Sequence, residues 1–168
     1  PNTQAFKKRK VEQAGLIAPE NLHYVPVDFS KENLGDALKK TGFIFEKRTF
    51  FNWLGVSYYM TKEQNLNMLK IISSLVPRGS SIVFDYADEN IFTSDLKRVR
   101  NMVAMADASG EPMKSCYNYY ELEETLEEAG FLIYEHLFTD EIEKRFFANR
   151  TDYLHAFEHI NYVLAVLG

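Results

Sequence analysis

Cysteine is almost absent from the sequence, since Cys116 is the only one among 168 residues. A single cysteine excludes an internal disulfide and a cysteine-rich zinc site, and it is typical of the reducing cytoplasm, where we expect the protein. No apolar run approaches the roughly 18 residues that a membrane span requires, so we expect no membrane partner. The net charge is −5 and the one basic run is Lys7–Lys10, which weighs against a nucleic-acid partner.

Other motifs are missing as well. No Gly-x-Gly occurs anywhere in the chain, so a glycine-rich phosphate-binding turn is not present. The sequence has no nucleophile elbow, which argues against a serine hydrolase. Asp85 and Asp88 lie close together, but no histidine or further carboxylate is spaced to complete a metal site, and we expect no metal.

Aromatic residues, by contrast, are abundant. The chain holds ten tyrosines and thirteen phenylalanines, and 46% of its residues are hydrophobic. Aromatic side chains bury large areas, and tyrosine adds a polar tip. This composition suits a sizeable core, a pocket for an organic ligand, or both.

Hydrophobic periodicity predicts alternating helices and strands in one domain spanning residues 1–168. Predicted helices cover 3–15, 30–42, 61–76, 91–107, 119–129 and 140–147. Predicted strands cover 22–27, 48–56, 81–86, 131–137 and 160–167. Such alternation indicates an α/β fold with a mostly parallel sheet, whose ligands bind beyond the carboxyl ends of the strands.

Three of those strand ends carry motifs that resemble the leucine carboxyl methyltransferase-like family. The motifs are Val25–Phe29, Phe50–Met60 and Ile82–Tyr86. Three further segments are also similar to that family: Pro1–Lys7, Ala129–Phe131 and Ala156–Ile160. The order and spacing of the motifs are more specific than any one of them, and together they extend over essentially the whole chain.

The resemblance implies a Rossmann-like class I methyltransferase fold, whose sheet runs in the order 3-2-1-4-5-7-6 with an antiparallel final strand. The glycine-rich turn and the acidic residue that grips the ribose would lie upstream of Pro1, so the resemblance implies that the first two strands are absent from this chain. The free edge left behind would be apolar, and a homo-oligomer could cover it.

The resemblance also implies a site for S-adenosylmethionine. Asp28 matches the residue that accepts a hydrogen bond from the adenine amino group, and Phe29 could lie on the adenine ring; a helix cap is the structural alternative for Asp28. Trp53, Leu54 and Gly55 match the segment around the methionine end. Family members often carry an acidic residue where this chain has Leu54, so backbone carbonyls would have to replace that carboxylate.

The acceptor side is less specific. Tyr58, Tyr59 and Tyr86 follow strands where a substrate pocket is expected, and the helical insert at about 91–107 could form a lid. Arg145 and Arg150 could bind a substrate carboxylate, or could pair with Glu141 and Glu143 on the surface.

A carboxylate acceptor needs no base because it is already ionised at neutral pH. A hydroxyl acceptor would need one, and the four histidines are the candidates. His159, beside the final strand, is the most favoured, but the catalytic residue stays open.

The resulting hypothesis is an S-adenosylmethionine-dependent O-methyltransferase acting on a carboxylate or hydroxyl of a small molecule or peptide. Two alternatives remain. One is a non-catalytic form of the fold that serves as an interaction module. The other is a nicotinamide-dependent oxidoreductase, which predicts a wholly parallel sheet and no antiparallel pair between 131–137 and 160–167.

Overall fold

A computed structural model describes residues 2–27 and 32–168. The chain divides into two compact units, residues 1–45 and residues 46–168. Whether the two units belong to a single domain over 1–168 stays a prediction. In the first unit, α1 spans Asn2–Gln13 and α2 spans Leu34–Lys39. Asn33 caps α2 by accepting a hydrogen bond from the Asp36 N–H at 3.2 Å.

The predicted strand at 22–27 is wrong, because these residues form neither strand nor helix. Leu22 is 44% exposed, and Pro26 has no N–H to donate to a ladder. An isolated extended segment gains nothing until its N–H and C=O groups pair with a neighbour. The segment is β-rich in composition, but the residues that the structure describes include no partner strand for it.

The second unit contains a four-stranded sheet with helices α3 to α6. The strands are β1 at Phe50–Trp53, β2 at Ser81–Ala87, β3 at Phe131–Leu137 and β4 at Ile160–Leu167. The helices are α3 at Lys62–Leu75, α4 at Lys97–Ala108, α5 at Tyr119–Glu128 and α6 at Thr139–Ile142. A 3-10 turn at Ser57–Tyr59 precedes α3, and a π turn at Glu143–Phe147 continues α6.

The strand order is β1-β2-β4-β3. β1 is parallel to β2, while β4 lies between β2 and β3 and runs antiparallel to both. Three strands therefore share one direction and the last strand opposes them. This is the 4-5-7-6 half of the order implied by the family resemblance, and the prediction of a mostly parallel sheet with an antiparallel final strand is confirmed.

Local sequence accounts for most of the boundaries. Thr61 begins α3 with a capping box, since its hydroxyl accepts from the Gln64 N–H and the Gln64 side chain accepts from the Thr61 N–H. Asn118 and Glu121 form the same reciprocal pair at the start of α5. Each box satisfies amide groups that have no partner within the helix.

The predicted helix at 91–107 begins later than expected, at Lys97. Residues 91–93 form a turn instead, stabilised by hydrogen bonds from Ile91 N–H to the Asp88 carbonyl and from Thr93 N–H to the Asn90 carbonyl. Thr139 also does not cap α6 with its hydroxyl, which bonds to the Ile160 carbonyl.

One edge of the sheet is open among the described residues, because β1 pairs only with β2. Phe50 on this edge is 61% exposed. Unpaired N–H and C=O groups on an edge strand are a template for a further strand. The oligomer expected at this edge stays a prediction.

The helices described here also bear on the membrane question: none of them combines the length and the apolarity that crossing a bilayer would take.

Burial of α5 on the sheet gives a direct stability test. Leu126 in α5 is fully buried, whereas Leu132 in the adjacent β3 is 58% exposed. Leu126→Ala should lower the free energy of unfolding by about 2–5 kcal/mol, because it removes buried methyl groups and leaves a cavity. Urea denaturation followed by circular dichroism measures this. Leu132→Ala is the control and should change stability by less than about 0.5 kcal/mol; equal losses in the two variants would contradict the packing described.

Candidate functional site

The parallel pairing of β1 and β2 places the ends of both strands at one edge of the sheet. Trp53, the last residue of β1, lies opposite Phe84 in β2. The chain then turns, and the Gly55 N–H donates a 2.7 Å hydrogen bond to the carboxylate of Asp85. The Trp53–Gly55 bend and Asp85 are therefore in direct contact, and we call the edge that they form the rim.

Gly55 makes this turn possible. Its φ of +73° lies in the left-handed region, which costs a residue with a β-carbon about 1–2 kcal/mol. The position that a β-carbon would take lies 3.9 Å from the Tyr58 hydroxyl. This conformation directs the Gly55 N–H toward Asp85, and the absence of a side chain leaves space beside the Tyr58 hydroxyl.

A buried polar network fixes the loop that follows. The Ser57 hydroxyl donates to the Asp85 backbone carbonyl at 2.5 Å. The Ser57 carbonyl accepts from the Asn65 side-chain amide at 3.0 Å and from the Ser115 hydroxyl at 3.2 Å. The same Asn65 amide donates to the Tyr117 hydroxyl at 3.1 Å. Inside a protein such a network specifies one arrangement, because each lost partner leaves a buried polar group unsatisfied.

Sequence reasoning missed this network. Ser57, Asn65 and Ser115 are each no more than 3% exposed, and nothing in their spacing marks them as buried. The one available signal was Asn65, a polar residue in the otherwise apolar inward stripe of α3, where Met68, Leu69 and Ile72 are also buried.

Burial also sets the electrostatics of the rim. It raises the pKa of the Asp85 carboxyl, and the Gly55 N–H partly offsets that rise by stabilising the charged form. Burial, followed by the nearby Asp85 charge, likewise raises the pKa of the Tyr58 phenol and of the Tyr162 phenol. Both phenols are hydrogen-bond donors at neutral pH.

Most of the residues predicted around the bend lie together. Trp53 is half-buried, with its ring centroid 5.6 Å from that of Phe84. Leu54 is 43% exposed. The rings of Tyr58 and Tyr59 meet edge to face at 4.8 Å. Asp28 and Phe29 lie outside the described residues, so the adenine end of the predicted site stays a prediction.

Tyr86 lies within β2 and is buried against β3. Adjacent residues of a strand point to opposite faces of the sheet, so Tyr86 shares a face with Phe84 and its partner Trp53, and Asp85 lies on the other face. Tyr86 is 1% exposed, and its hydroxyl lies 2.7 Å from His136 Nε2. Burial raises the pKa of Tyr86 to about 12. This placement favours a structural role in the core.

The two predicted arginines also lie apart from the bend. Arg145 pairs with Glu135 at 2.6 Å, and Arg150 pairs with Asp152. Neither uses Glu141 or Glu143, which were the expected surface partners. Their side chains are 49% and 40% exposed, and their predicted binding of a substrate carboxylate stays a prediction.

A cavity of about 830 Å³ opens against α4, the predicted lid. Its lining includes Tyr59, Arg98, Met102, Met105 and Phe157. The Arg98 guanidinium lies 4.3 Å from the centre of the Phe157 ring. The walls thus combine apolar and aromatic side chains with two cations, Lys97 and Arg98, and pockets for organic molecules use the same combination of apolar lining and a few polar groups.

His159 occupies a separate position after the loop before β4. Its Nδ1 lies 3.0 Å and 3.1 Å from the two carboxylate oxygens of Asp88, and its Nε2 lies 3.1 Å from the Ser94 hydroxyl. Sequence reasoning singled out His159 but not its partners.

The fold defines the class of protein. Among solved structures, the chain aligns over its whole length with 40% of the mitomycin 7-O-methyltransferase MmcR, at a TM-score of 0.61 and 11% identity. It also aligns over 80% of its length with 52% of a DUF574 family protein from Streptomyces avermitilis, at a TM-score of 0.58 and 12% identity. At such identities the likeness shows the fold, which is that of the class I methyltransferases.

The sequence comparisons agree with the family resemblance. Residues 1–73 match the model of the leucine carboxyl methyltransferase family. The chain is 54% identical over 168 residues to YktD of Bacillus subtilis (strain 168), whose name assigns it to the S-adenosyl-L-methionine-dependent methyltransferases. The match covers 99% of this chain and 55% of YktD, so the chain spans about half the length of that relative. The family resemblance found in the motifs is confirmed.

The burial of His136 beside Tyr86 predicts that the stability of the fold depends on pH. Burial lowers the pKa of His136 below its usual value of 6.5, and its Nδ1 is buried without a hydrogen-bond partner among the described residues. The unfolded state therefore binds the proton more readily, and stability is present above pH 6.5 and is lost as the pH falls through the lower folded pKa.

His136→Gln should remove this part of the loss between pH 7 and pH 5, as measured by urea denaturation at each pH. His155→Gln is the control, since the His155 side chain is 47% exposed, and it should keep the wild-type slope. A wild-type slope in His136→Gln would contradict the burial of a neutral imidazole.

Proposed function

We propose that this chain forms part of an S-adenosylmethionine-dependent O-methyltransferase, which transfers a methyl group to a carboxylate or hydroxyl of a small molecule or peptide. The observation that carries the proposal is the rim where the Gly55 turn is bonded to Asp85. It stands at the carboxyl ends of two parallel strands, where ligands bind in open α/β sheets. The family match and the name of YktD support the same activity.

The residues present at the rim fit the cofactor. Its methionine end carries an ammonium group and a positively charged sulfonium. Asp85 uses one carboxylate oxygen for the Gly55 N–H, and we assign its other oxygen to the ammonium. Asp85 would thus supply the carboxylate that family members often carry at the position of Leu54. Gly55, without a side chain, admits close approach of the ligand to the backbone.

Trp53, Leu54 and Gly55 complete this end of the proposed site, and Asp28 with Phe29 are assigned to the adenine on the strength of the family resemblance. When bound, S-adenosylmethionine supplies an electrophilic methyl group. The part of the protein residues is to hold the acceptor in line with that methyl and to exclude water.

The acceptor pocket is assigned to the cavity of about 830 Å³ against α4. Tyr59 lines this cavity, and its neighbour Tyr58 lies beside Gly55. The two tyrosines thus connect the proposed cofactor rim to the proposed acceptor pocket. Met102 and Met105 provide an adaptable apolar wall, and Lys97 and Arg98 add positive charge beside it.

The sheet topology argues against one of the two alternative functions. A nicotinamide-dependent oxidoreductase predicts a wholly parallel sheet, whereas β4 runs antiparallel to both of its neighbours. The non-catalytic alternative makes a different prediction from ours, namely no cofactor binding at the rim.

Trp53 provides the test, because it is the only tryptophan in the chain and lies at the proposed site. Addition of S-adenosylhomocysteine should change its fluorescence in a saturable manner, and isothermal titration should show matching heat. NAD should produce neither signal. No saturable change with S-adenosylhomocysteine would contradict the proposed site and favour the interaction module.

A matched pair of glycine variants tests the position of the site. Gly55 and Gly110 have φ values of +73° and +80°, so Gly55→Ala and Gly110→Ala should each cost about 1–2 kcal/mol of stability. Only Gly55→Ala should weaken binding of S-adenosylhomocysteine, by about tenfold or more, which corresponds to about 1.4 kcal/mol. Equal affinities in the two variants would place the ligand away from the Gly55 turn.

A further inference from the structure

Three side chains from separate segments form a continuous hydrogen-bonded chain. The Asp88 carboxylate lies 3.0 Å from His159 Nδ1, and His159 Nε2 lies 3.1 Å from the Ser94 hydroxyl. Asp88 follows β2, Ser94 precedes α4, and His159 precedes β4. This is the sequence of contacts found in Ser–His–Asp triads, which are recognised by geometry and not by position in the chain.

The carboxylate is held in place from two sides. The Asn90 N–H donates to the Asp88 carboxylate at 2.8 Å, and the Asp88 N–H donates to the His159 carbonyl at 2.9 Å. The backbone bond joins the two segments, so the acid and the imidazole keep their separation. The side chains of His159 and Asp88 are 22% and 25% exposed, which shields their contact while leaving it reachable.

His159 is also held in an uncommon conformation, with a φ of +65°. Residues with a β-carbon rarely adopt positive φ, and such strain clusters at functional sites. Glycine would occupy this position at lower cost in backbone energy. The residue at position 159 is instead a histidine, and both of its ring nitrogens contact polar partners.

The protonation pattern follows from the partners. An ionised carboxylate only accepts hydrogen bonds, so the contact with Asp88 places the ring proton on Nδ1. Nε2 then presents its lone pair to the Ser94 hydroxyl. This is the tautomer in which an imidazole takes a proton from a serine.

A cavity and the start of α4 lie next to these three residues. A cavity of about 660 Å³ is lined by Asp88 and His159 but not by Ser94, which adjoins it through the contact with His159 Nε2. α4 begins three residues after Ser94, and its N-cap, Leu96, makes no side-chain hydrogen bond to the first turn. Amide N–H groups at the start of a helix stabilise negative charge that develops nearby.

We propose that Ser94 is an activated nucleophile toward acyl esters, with His159 as its base and Asp88 holding the imidazole. The Ser94 oxygen forms a bond to the ester carbonyl carbon while its proton passes to His159 Nε2. The carbon–oxygen bond to the alcohol then breaks, and the leaving alkoxide takes that proton. Water attacks the acyl group in the same way, which releases the carboxylic acid and restores Ser94.

This inference stands independently of the proposed methyltransferase function. It also departs from the sequence-based expectation that the lack of a nucleophile elbow argues against a serine hydrolase. The elbow is one way to expose a serine, and here a turn before α4 presents it instead.

Diisopropyl fluorophosphate provides a test that needs no natural substrate. The serine oxygen would bond to phosphorus as fluoride leaves, and the mass gain would be read on the intact chain and mapped to one peptide. We expect a single adduct on Ser94. His159→Asn and Asp88→Asn should slow labelling by at least about 100-fold, the contribution of a positioned base.

Asn tolerates positive φ, so His159→Asn should keep the fold, and circular dichroism checks this for both variants. Ser73→Ala is the matched control, because the Ser73 hydroxyl bonds to the Lys70 carbonyl within α3; it should label at the wild-type rate. The proposal is overturned by the absence of an adduct, by an adduct on another residue, or by an unchanged rate in folded His159→Asn and Asp88→Asn.

Discussion

A single hydrogen bond organises the carboxyl edge of the sheet, the 2.7 Å contact from the Gly55 N–H to the Asp85 carboxylate. Asp85 is 6% exposed, and a buried carboxylate is costly unless donors compensate it. The turn after β1 supplies that donor, and in doing so it fixes where the chain leaves the sheet. Ser57, bonded to the backbone carbonyl of the same aspartate, makes a second attachment two residues later.

From these attachments the rest of the site follows. The Ser57 carbonyl accepts hydrogen bonds from Asn65 in α3 and from Ser115 in the segment before α5. A helix and a loop that are distant in sequence are therefore bonded to the same turn. Tyr58 and Tyr59 are carried on the same 3-10 turn, which places one phenol beside Gly55 and the other at the cavity against α4. The proposed cofactor end and acceptor end are therefore set by a common piece of backbone.

Sequence reasoning succeeded where local signals and the sheet order agree. The helical periodicity over 61–76 and 119–129, and the strand pattern at 131–137 and 160–167, identified most of the second unit. It failed where long-range pairing decides. Residues 22–27 have β-rich composition, yet the described residues offer them no partner strand. The link from Ser94 through His159 to Asp88 joins residues up to 71 positions apart, a distance over which spacing carries no signal.

Amide hydrogen exchange at Gly55, followed by NMR, tests the central contact most directly. The account predicts a protected Gly55 amide in the wild type and at least about tenfold faster exchange in Asp85→Ala, since a hydrogen bond to a charged group is worth about 1.5–3 kcal/mol. The Ser81 amide, which donates to the Thr49 carbonyl at 2.9 Å, should keep its protection in both proteins. A Gly55 amide that exchanges equally fast with and without the Asp85 carboxylate would contradict the account.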